Sequence, residues 1–307
     1  MKKLFLLPLV LVVIAGLLAF WFYTNSKPVS NVANFKDFLI TKGSGASQIG
    51  NKLEKEGLIK NALAFKIYVQ VNGQAGRIQA GEYRLSPGLS LFGLVKELLT
   101  GPRELWVTVP EGLRREEIAQ RFASSLGKDE EFIDSFLDAS DGFEGHLFPD
   151  TYLFPKTASA SAVVNKMTRT FDSKTSDLDL TRDQIILASL IERETRTDEE
   201  RPVVAGILMN RLAIGMALQV DATVQYAKGS WGVVTKEDLE INSPYNTYKF
   251  PGLPPAPIAN PGLSSLEAAA SPSDTDFFYY LHDAKGNIHY AGDLSGHNEN
   301  INKYLTR

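Results

Sequence analysis

Two glutamates stand two positions apart in LASLIERET, residues 187–195, and their spacing gives them different surroundings. Thr181, with Gln184 three residues later, is a helix-start signature, so a helix is expected from there onward. Leu187, Leu190, Ile191 and Glu194 then fall at i, i+3, i+4 and i+7 and share one apolar stripe. A carboxyl pressed into such a stripe has its neutral form favoured and can hold a proton at neutral pH. Glu194 is thus a candidate general acid, or else a helix-end carboxylate that snorkels to water. Glu192 lies roughly 200° around the wheel from the stripe, on the polar side. It is expected as a solvated charge paired with Arg196 four residues on.

A second group of residues offers hydrogen bonds rather than proton transfer. Gln219, Tyr245, Asn246 and Tyr248 each donate and accept, an inventory suited to hydroxyl- and amide-rich ligands such as amino sugars, or to the backbone of their own loops. They fall in segments with little helical periodicity, residues 218–227 and 242–262, and residues 292–298 read the same way. Pro and Gly punctuate these stretches, so ordered loops are expected, and long ordered loops in compact domains usually carry function.

The elements that must hold these loops can be read on either side. A helix is expected from Pro202, after Glu199 and Glu200, to about Gly215. Another is expected around residues 163–171, and a short capped one over 265–272. Residues 276–293 read as a hairpin about Lys285-Gly286. The aromatic and proline-rich stretch 144–159 offers either rings for stacking on sugars or a packed corner. Upstream, ITKGSGASQIGNKL and VPEGLRREEIAQRF align Ile40, Gly43, Ile49 and Leu53 with Val109, Gly112, Ile118 and Phe122. Each copy reads as strand, Gly turn and amphipathic helix, with strand, Pro-Gly turn and helix over 80–101 between them. Residues 35–136 are therefore a small α+β region.

The chain opens with Lys2 and Lys3 before an uncharged apolar run at 4–23, with Trp21 and Tyr23 at its far end. Twenty residues is about what a membrane-crossing helix needs, whereas a cleaved signal peptide has an apolar core of about 7–15 followed by a small-x-small site. An uncleaved anchor is preferred, with the N-terminus cytoplasmic and a polar tether at 24–31. The composition, 44% hydrophobic and 22% charged, is that of a folded protein. With no cysteine and four scattered histidines, no disulfide framework, thiolate chemistry, structural zinc or cofactor motif is expected. A net charge of -4 without a basic tract argues against nucleic acid as a partner.

With EGHLFPDTY, LASLIERET, VVAGILMNRL, IGMALQVDATVQY, SPYNTY, GLPPAPIANPG, SLEAAASP and His297-Asn298 in view, the chain resembles the YceG-like family of endolytic lytic transglycosylases over essentially its whole length. Gly296 departs from the acidic residue that the family more often carries before His-Asn. The order Glu194-Thr195, Leu218-Gln219, Tyr245-Asn246 also resembles the Glu-Ser, Met-Gln and Tyr-Asn order of lysozyme-like transglycosylases. The resemblance implies an α+β protein: a transmembrane anchor and tether at 1–31, a LysM-like region at 32–140 and a catalytic domain at 141–307. It implies non-hydrolytic cleavage of the β-1,4 bond from N-acetylmuramic acid to N-acetylglucosamine in peptidoglycan strands, outside the cytoplasmic membrane. Glu194 matches the family's catalytic Glu, and Thr195, Gln219, Asp221, Tyr245, Asn246 and Tyr248 are expected to hold sugars. Peptidoglycan synthases are implied as partners by analogy. A hydrolytic muramidase with Asp221 as its second carboxylate, or a non-catalytic peptidoglycan-binding module, are the rival readings.

Overall fold

The first element is an apolar helix, α1, Leu6–Asn25. The computed structural model describes residues 6–32 and 34–305. Lys2, Lys3, Leu4 and Phe5, which flank and begin the expected membrane span, lie outside the described residues, and side chains of α1 are described from Val10 on. Among the described residues no helix is long and apolar enough to cross a membrane.

The stretch expected to be a tether is instead clamped. Ser26 is buried, its carbonyl accepts from Leu91 N–H at 2.9 Å, and Val29 and Ser30 N–H donate to Pro87 O at 3.0 and 3.1 Å. A chain fixed at both a buried hydroxyl and two backbone bonds has lost the freedom that a tether needs.

The chain divides into two compact units, Met1–Val107 with Tyr152–Thr157, and Thr108–Thr151 with Ala158–Arg307. In the first, β1 (Lys36–Ile40), α2 (Ala46–Lys55), α3 (Ala62–Val71), β2 (Gly81–Leu85), α4 (Leu91–Thr100) and β3 (Glu104–Thr108) follow in order. β1 pairs antiparallel with β2 through Phe38 opposite Tyr83, and β2 antiparallel with β3. β4, Thr151–Pro155, completes the order β1-β2-β3-β4. Phe38, Leu53, Phe65, Leu85, Leu94 and Leu98 form the core, fully enclosed between sheet and helices. Asn61 and Ser90 cap α3 and α4 by accepting backbone N–H bonds.

The second unit is helical around one buried helix. α5 (Arg115–Leu126), α6 (Glu130–Ala139) and α7 (Ala160–Lys174) precede α8 (Arg182–Glu194) and α9 (Glu200–Ala213). Gly43 and Gly112 hold φ of +84° and +74° at the turns after β1 and β3, conformations that a side chain resists and glycine adopts freely. Thr181 and Gln184 close a reciprocal capping box at the start of α8. Every side chain from Ile185 to Ile191 is buried, because α9, α10 (Asp221–Lys228) and α11 (Leu263–Ala270) all pack on this helix. α8 therefore has no solvent face along most of its length, and a wheel that assigns it one misleads.

β5 (Tyr279–His282) and β6 (Ile288–Ala291) pair as the expected antiparallel hairpin, with Gly286 at φ +90° in the turn. α12, Leu294–Tyr304, closes the chain, its N-terminus capped by Asp293. Two expected loops are thus helices: 218–227 contains α10 and 292–298 opens α12. Both carried start signals that the surrounding Gly and Pro obscured, Asp221 in the first turn of α10 and Asp293 at the cap of α12. Residues 242–262 contain no α-helix or named strand, as expected, and join α5's approach by a single bridge from Asn260 to Leu113. Phe148, Tyr152 and Phe154 in the aromatic stretch are buried, as the packed-corner reading expects.

Candidate active site

α8 stops at Glu194 because Thr195 is extended, with φ -111° and ψ 153°. The Thr195 N–H and Oγ1 both return to the Ile191 carbonyl, the hydroxyl at 2.7 Å. The last side chain of the helix, Glu194, lines a cleft of about 460 Å³. Arg211 comes to the cleft from the last turn of α9, Gln219 and Asp221 from the entry to α10, and Tyr248 from the following loop. Tyr279, Tyr280 and His282 come from β5, and His297 from α12.

The backbone that presents Gln219 is tightly constrained. Gln219 holds φ +54°, a conformation that costs about 1–2 kcal/mol for a side-chain-bearing residue and persists where surroundings enforce it. The enforcement is a buried threonine pair. Gln219 N–H donates to Thr247 O at 3.2 Å and Val220 N–H to Thr247 Oγ1 at 3.0 Å. Thr223 and Thr247 hydroxyls meet at 2.9 Å, both enclosed. Arg211 is buried and fastens two walls at once: Nε donates to Phe278 O at 2.7 Å and Nη1 to Leu218 O at 2.6 Å.

Burial raises the pKa of Glu194 above the ordinary carboxylate value. The Tyr280 hydroxyl, donating to Oε2 at 2.7 Å, opposes that rise, Asp221 adds to it, and His282 and the Ala222 N–H oppose it. Desolvation thus favours the neutral carboxyl, while two donors stand ready for its ionised form. Asp221 is tied by Tyr248, whose hydroxyl donates to Oδ1 at 2.6 Å. Burial, then the bond to Asp221, pushes the Tyr248 phenol well up. Burial, then Arg211, lowers His297 below the usual imidazole range. Its ring stacks on Tyr279 at 5.1 Å, and its enclosed Nδ1 has no hydrogen-bond partner among the described residues.

Gln219, Asp221 and Tyr248 thus share one cleft with Glu194, and three other residues expected there are placed elsewhere. Asn246 is fully buried: Nδ2 donates to Leu239 O and Ile241 O, both at 2.9 Å, and Oδ1 accepts from Tyr248 N–H at 3.0 Å. Its hydrogen-bonding capacity is spent on shaping the loop that presents Tyr248. Tyr245 packs against Tyr226, ring centroids 4.7 Å apart, and lines a separate cavity of about 580 Å³ with Glu144 and Arg182. Thr195 spends its hydroxyl on the end of α8.

Glu192 is not a solvated charge either. Its side chain is 7% exposed, accepts from Gly262 N–H at 3.0 Å and Ser265 Oγ at 2.8 Å, and lies 3.8 Å from Arg201 Nη2. No ion pair joins it to Arg196 among the described residues; the Arg196 N–H donates to Glu200 instead. The carboxylate of Glu192 sits at the start of α11, where free backbone donors favour an anion.

Arg211, Tyr280 and His282 are cleft residues that sequence reasoning missed. A period-2 signal was present for two of them, since Phe278, Tyr280 and His282 alternate onto one face of the strand. Arg211 carried a weaker signal, a cation at the end of an otherwise apolar helix.

A profile of the YceG-like family matches residues 38–303. The chain is 36% identical over 303 residues to an endolytic murein transglycosylase of Bacillus subtilis (strain 168), covering 87% of this chain and 84% of that one. It is 30% identical over 328 residues to an endolytic murein transglycosylase of Streptococcus pneumoniae D39, covering 89% of this chain and 59% of the longer relative. A crystal structure of a YceG-like protein from Listeria monocytogenes superposes with a TM-score of 0.56 at 32% identity, covering 87% of this chain and 99% of that one.

Proposed function

This chain belongs to the YceG-like family, and on that premise we propose that it is an endolytic peptidoglycan lytic transglycosylase with Glu194 as its single acid–base group. The observation that carries the reading is Glu194 itself: a carboxyl whose neutral form burial favours, at the end of a rigid helix, beside a cleft rich in hydroxyl, amide and guanidinium groups. The relatives' names support the substrate, the glycan strands of murein.

Neutral Glu194 donates its proton to the glycosidic oxygen leaving C1 of N-acetylmuramic acid. The C6 hydroxyl of the same sugar attacks C1, and the Glu194 carboxylate takes that hydroxyl's proton. A 1,6-anhydro ring forms, no water is consumed, and Glu194 ends protonated as it began. During the charged interval the Tyr280 hydroxyl and the Ala222 N–H stabilise the carboxylate. Gln219 and Tyr248 line the cleft as sugar-positioning groups, and Asp221 orients Tyr248.

Asp221 in the same cleft gives a second reading its footing, because a hydrolase of this type uses two carboxylates. Mass spectrometry of the ends released from uncross-linked glycan strands separates the two. Intramolecular attack gives ends about 18 Da lighter than hydrolysis does, because no water is added. Reducing ends overturn the single-carboxyl mechanism, and no cleavage at all favours a binding module.

Residues 32–140 are read as the LysM-like region, and the apolar run at 4–23 as a single-pass anchor that keeps catalysis on the outer side of the cytoplasmic membrane. Placed there, the enzyme meets new strands beside their synthases and terminates them.

A further inference from the structure

α3 carries an apolar face that none of the described residues covers. Leu63, Ile67 and Val71 recur at i, i+4 and i+8 and are 54%, 38% and 81% exposed. Packing against the core does not explain them, since the opposite face of α3 already supplies Ala64, Phe65 and Val69 to the interior. The segment 60–74 contains Lys60 and Lys66 and no acidic residue. Among the described residues the one carboxylate bonded to the helix is Glu54, which accepts from Ala62 N–H at 3.2 Å at its N-terminus. An exposed apolar stripe whose own segment carries only cations is the pattern of a helix lying in the surface of an anionic bilayer.

Two features tie α3 to the end of α1. Phe92 of α4, 44% exposed, bridges them: its ring lies 6.2 Å from Phe22 of α1 and 5.0 Å from Tyr68 of α3. The junction is also rigid, because Ser26 O, Val29 N–H and Ser30 N–H are bonded to Leu91 and Pro87 at the start of α4. Tyr23, with Lys27 Nζ 4.5 Å from its ring centre, ends α1 as an aromatic and a cation that favour the headgroup region. A helix anchored at that level and clamped to α4 carries Phe92 and α3 to the same depth.

We propose that the Leu63–Ile67–Val71 face of α3, continued by Phe92, docks on the membrane surface, with Lys60 and Lys66 toward anionic headgroups, so that the first unit lies on the bilayer. The inference rests on the anchor reading above for its geometry, and it is tested separately from it.

The chain has no cysteine, so Val71→Cys and Ile14→Cys each give a single labelling site in the full-length protein. Each variant carries an environment-sensitive fluorophore and is reconstituted into phosphatidylethanolamine–phosphatidylglycerol vesicles containing chain-spin-labelled lipid. A probe about 5–10 Å deep at the headgroup–acyl boundary meets the quencher, so the Val71 probe is expected to lose about half its fluorescence or more. Adding Ile67→Asp is expected to restore most of it. Quenching at Ile14 without quenching at Val71 overturns the docking and leaves the anchor standing. Quenching at neither overturns both, and quenching at Val71 alone supports docking while removing the anchor. A Val71 probe untouched by lipid in vesicles but shielded in native membranes assigns the face to a protein and overturns the proposal.

Discussion

Glu192 and Glu194, two positions apart on α8, are expected to fail in opposite ways. Glu192 accepts hydrogen bonds from Gly262 N–H and Ser265 Oγ and faces Arg201, all within the core joining α8 to α11. Removing a carboxylate so placed strands two donors and a buried guanidinium. Arg201 keeps Asp198 and Ser265 as partners, so the cost of Glu192→Ala is about 2–4 kcal/mol, between that of stranding buried donors and that of breaking a buried pair outright. At about 2–4 °C per kcal/mol for a unit of this size, Tm falls by roughly 5–15 °C. Glu194→Gln has no such penalty. Its amide oxygen still accepts from Tyr280, and the charge that burial disfavours is gone. Cleavage is expected to fall by about 10²–10⁴ with Tm unchanged or higher. The pH dependence adds a sign. A carboxyl raised in the folded state stabilises fully below its unfolded pKa, and that contribution is lost as pH rises through the folded value. The Tm advantage of Glu194→Gln therefore grows from acid toward neutral pH. Calorimetry paired with a strand-cleavage assay reads both. A Glu192→Ala protein whose Tm moves by less than about 1 °C, or a Glu194→Gln protein that unfolds early, refutes the division of roles.

Tyr280→Phe removes a donor that favours ionised Glu194, so the alkaline limb of the pH–rate profile moves to higher pH, and an unmoved limb argues that Tyr280 does not touch the acid in solution. Burial, with the Glu116 charge adding, raises Glu144 to about 8; the stability it contributes is present below the ordinary carboxylate range and lost as pH passes about 8, so thermal scans of Glu144→Gln across that window are expected to fall less steeply than those of the parent. Asn246→Ala costs about 2–3 kcal/mol through its unmatched carbonyl partners, and slows cleavage by releasing Tyr248; chemical denaturation and kinetics check the two parts. Gln219→Gly relieves the positive φ and leaves Tm unchanged or raised while lowering cleavage; a clear fall in Tm removes the strain argument.

Local signals were the legible part. The capping box at Thr181, the Gly turns, the hairpin at Lys285-Gly286 and the boundaries of α9 and α11 to within two residues follow from cap and turn chemistry acting over a few residues. Glu194 was legible because it closes an apolar stripe at the helix end. Glu192 was not, because α8 is enclosed on nearly all sides and the wheel presumes a wet face. Asn246 and Tyr245 read as ligand donors from their chemistry, yet burial decides what a side chain can touch, and burial of a loop depends on elements far away in sequence. The same holds for Arg211 and Tyr280, which reach Glu194 only once α9 and β5 have packed.

The order of strands also sets a clock. β4 is encoded after residue 150, yet it is the fourth strand of a sheet whose other three lie before 109. Until β4 has been made, β3 keeps an open edge, a template for pairing with other chains. Between the end of β3 at Thr108 and the start of β4 at Thr151 lie 42 residues, which at about 5–20 residues per second is a wait of roughly 2–8 s. The first unit therefore cannot finish before part of the second exists, and a chain ended at Val107 is expected to aggregate through that edge.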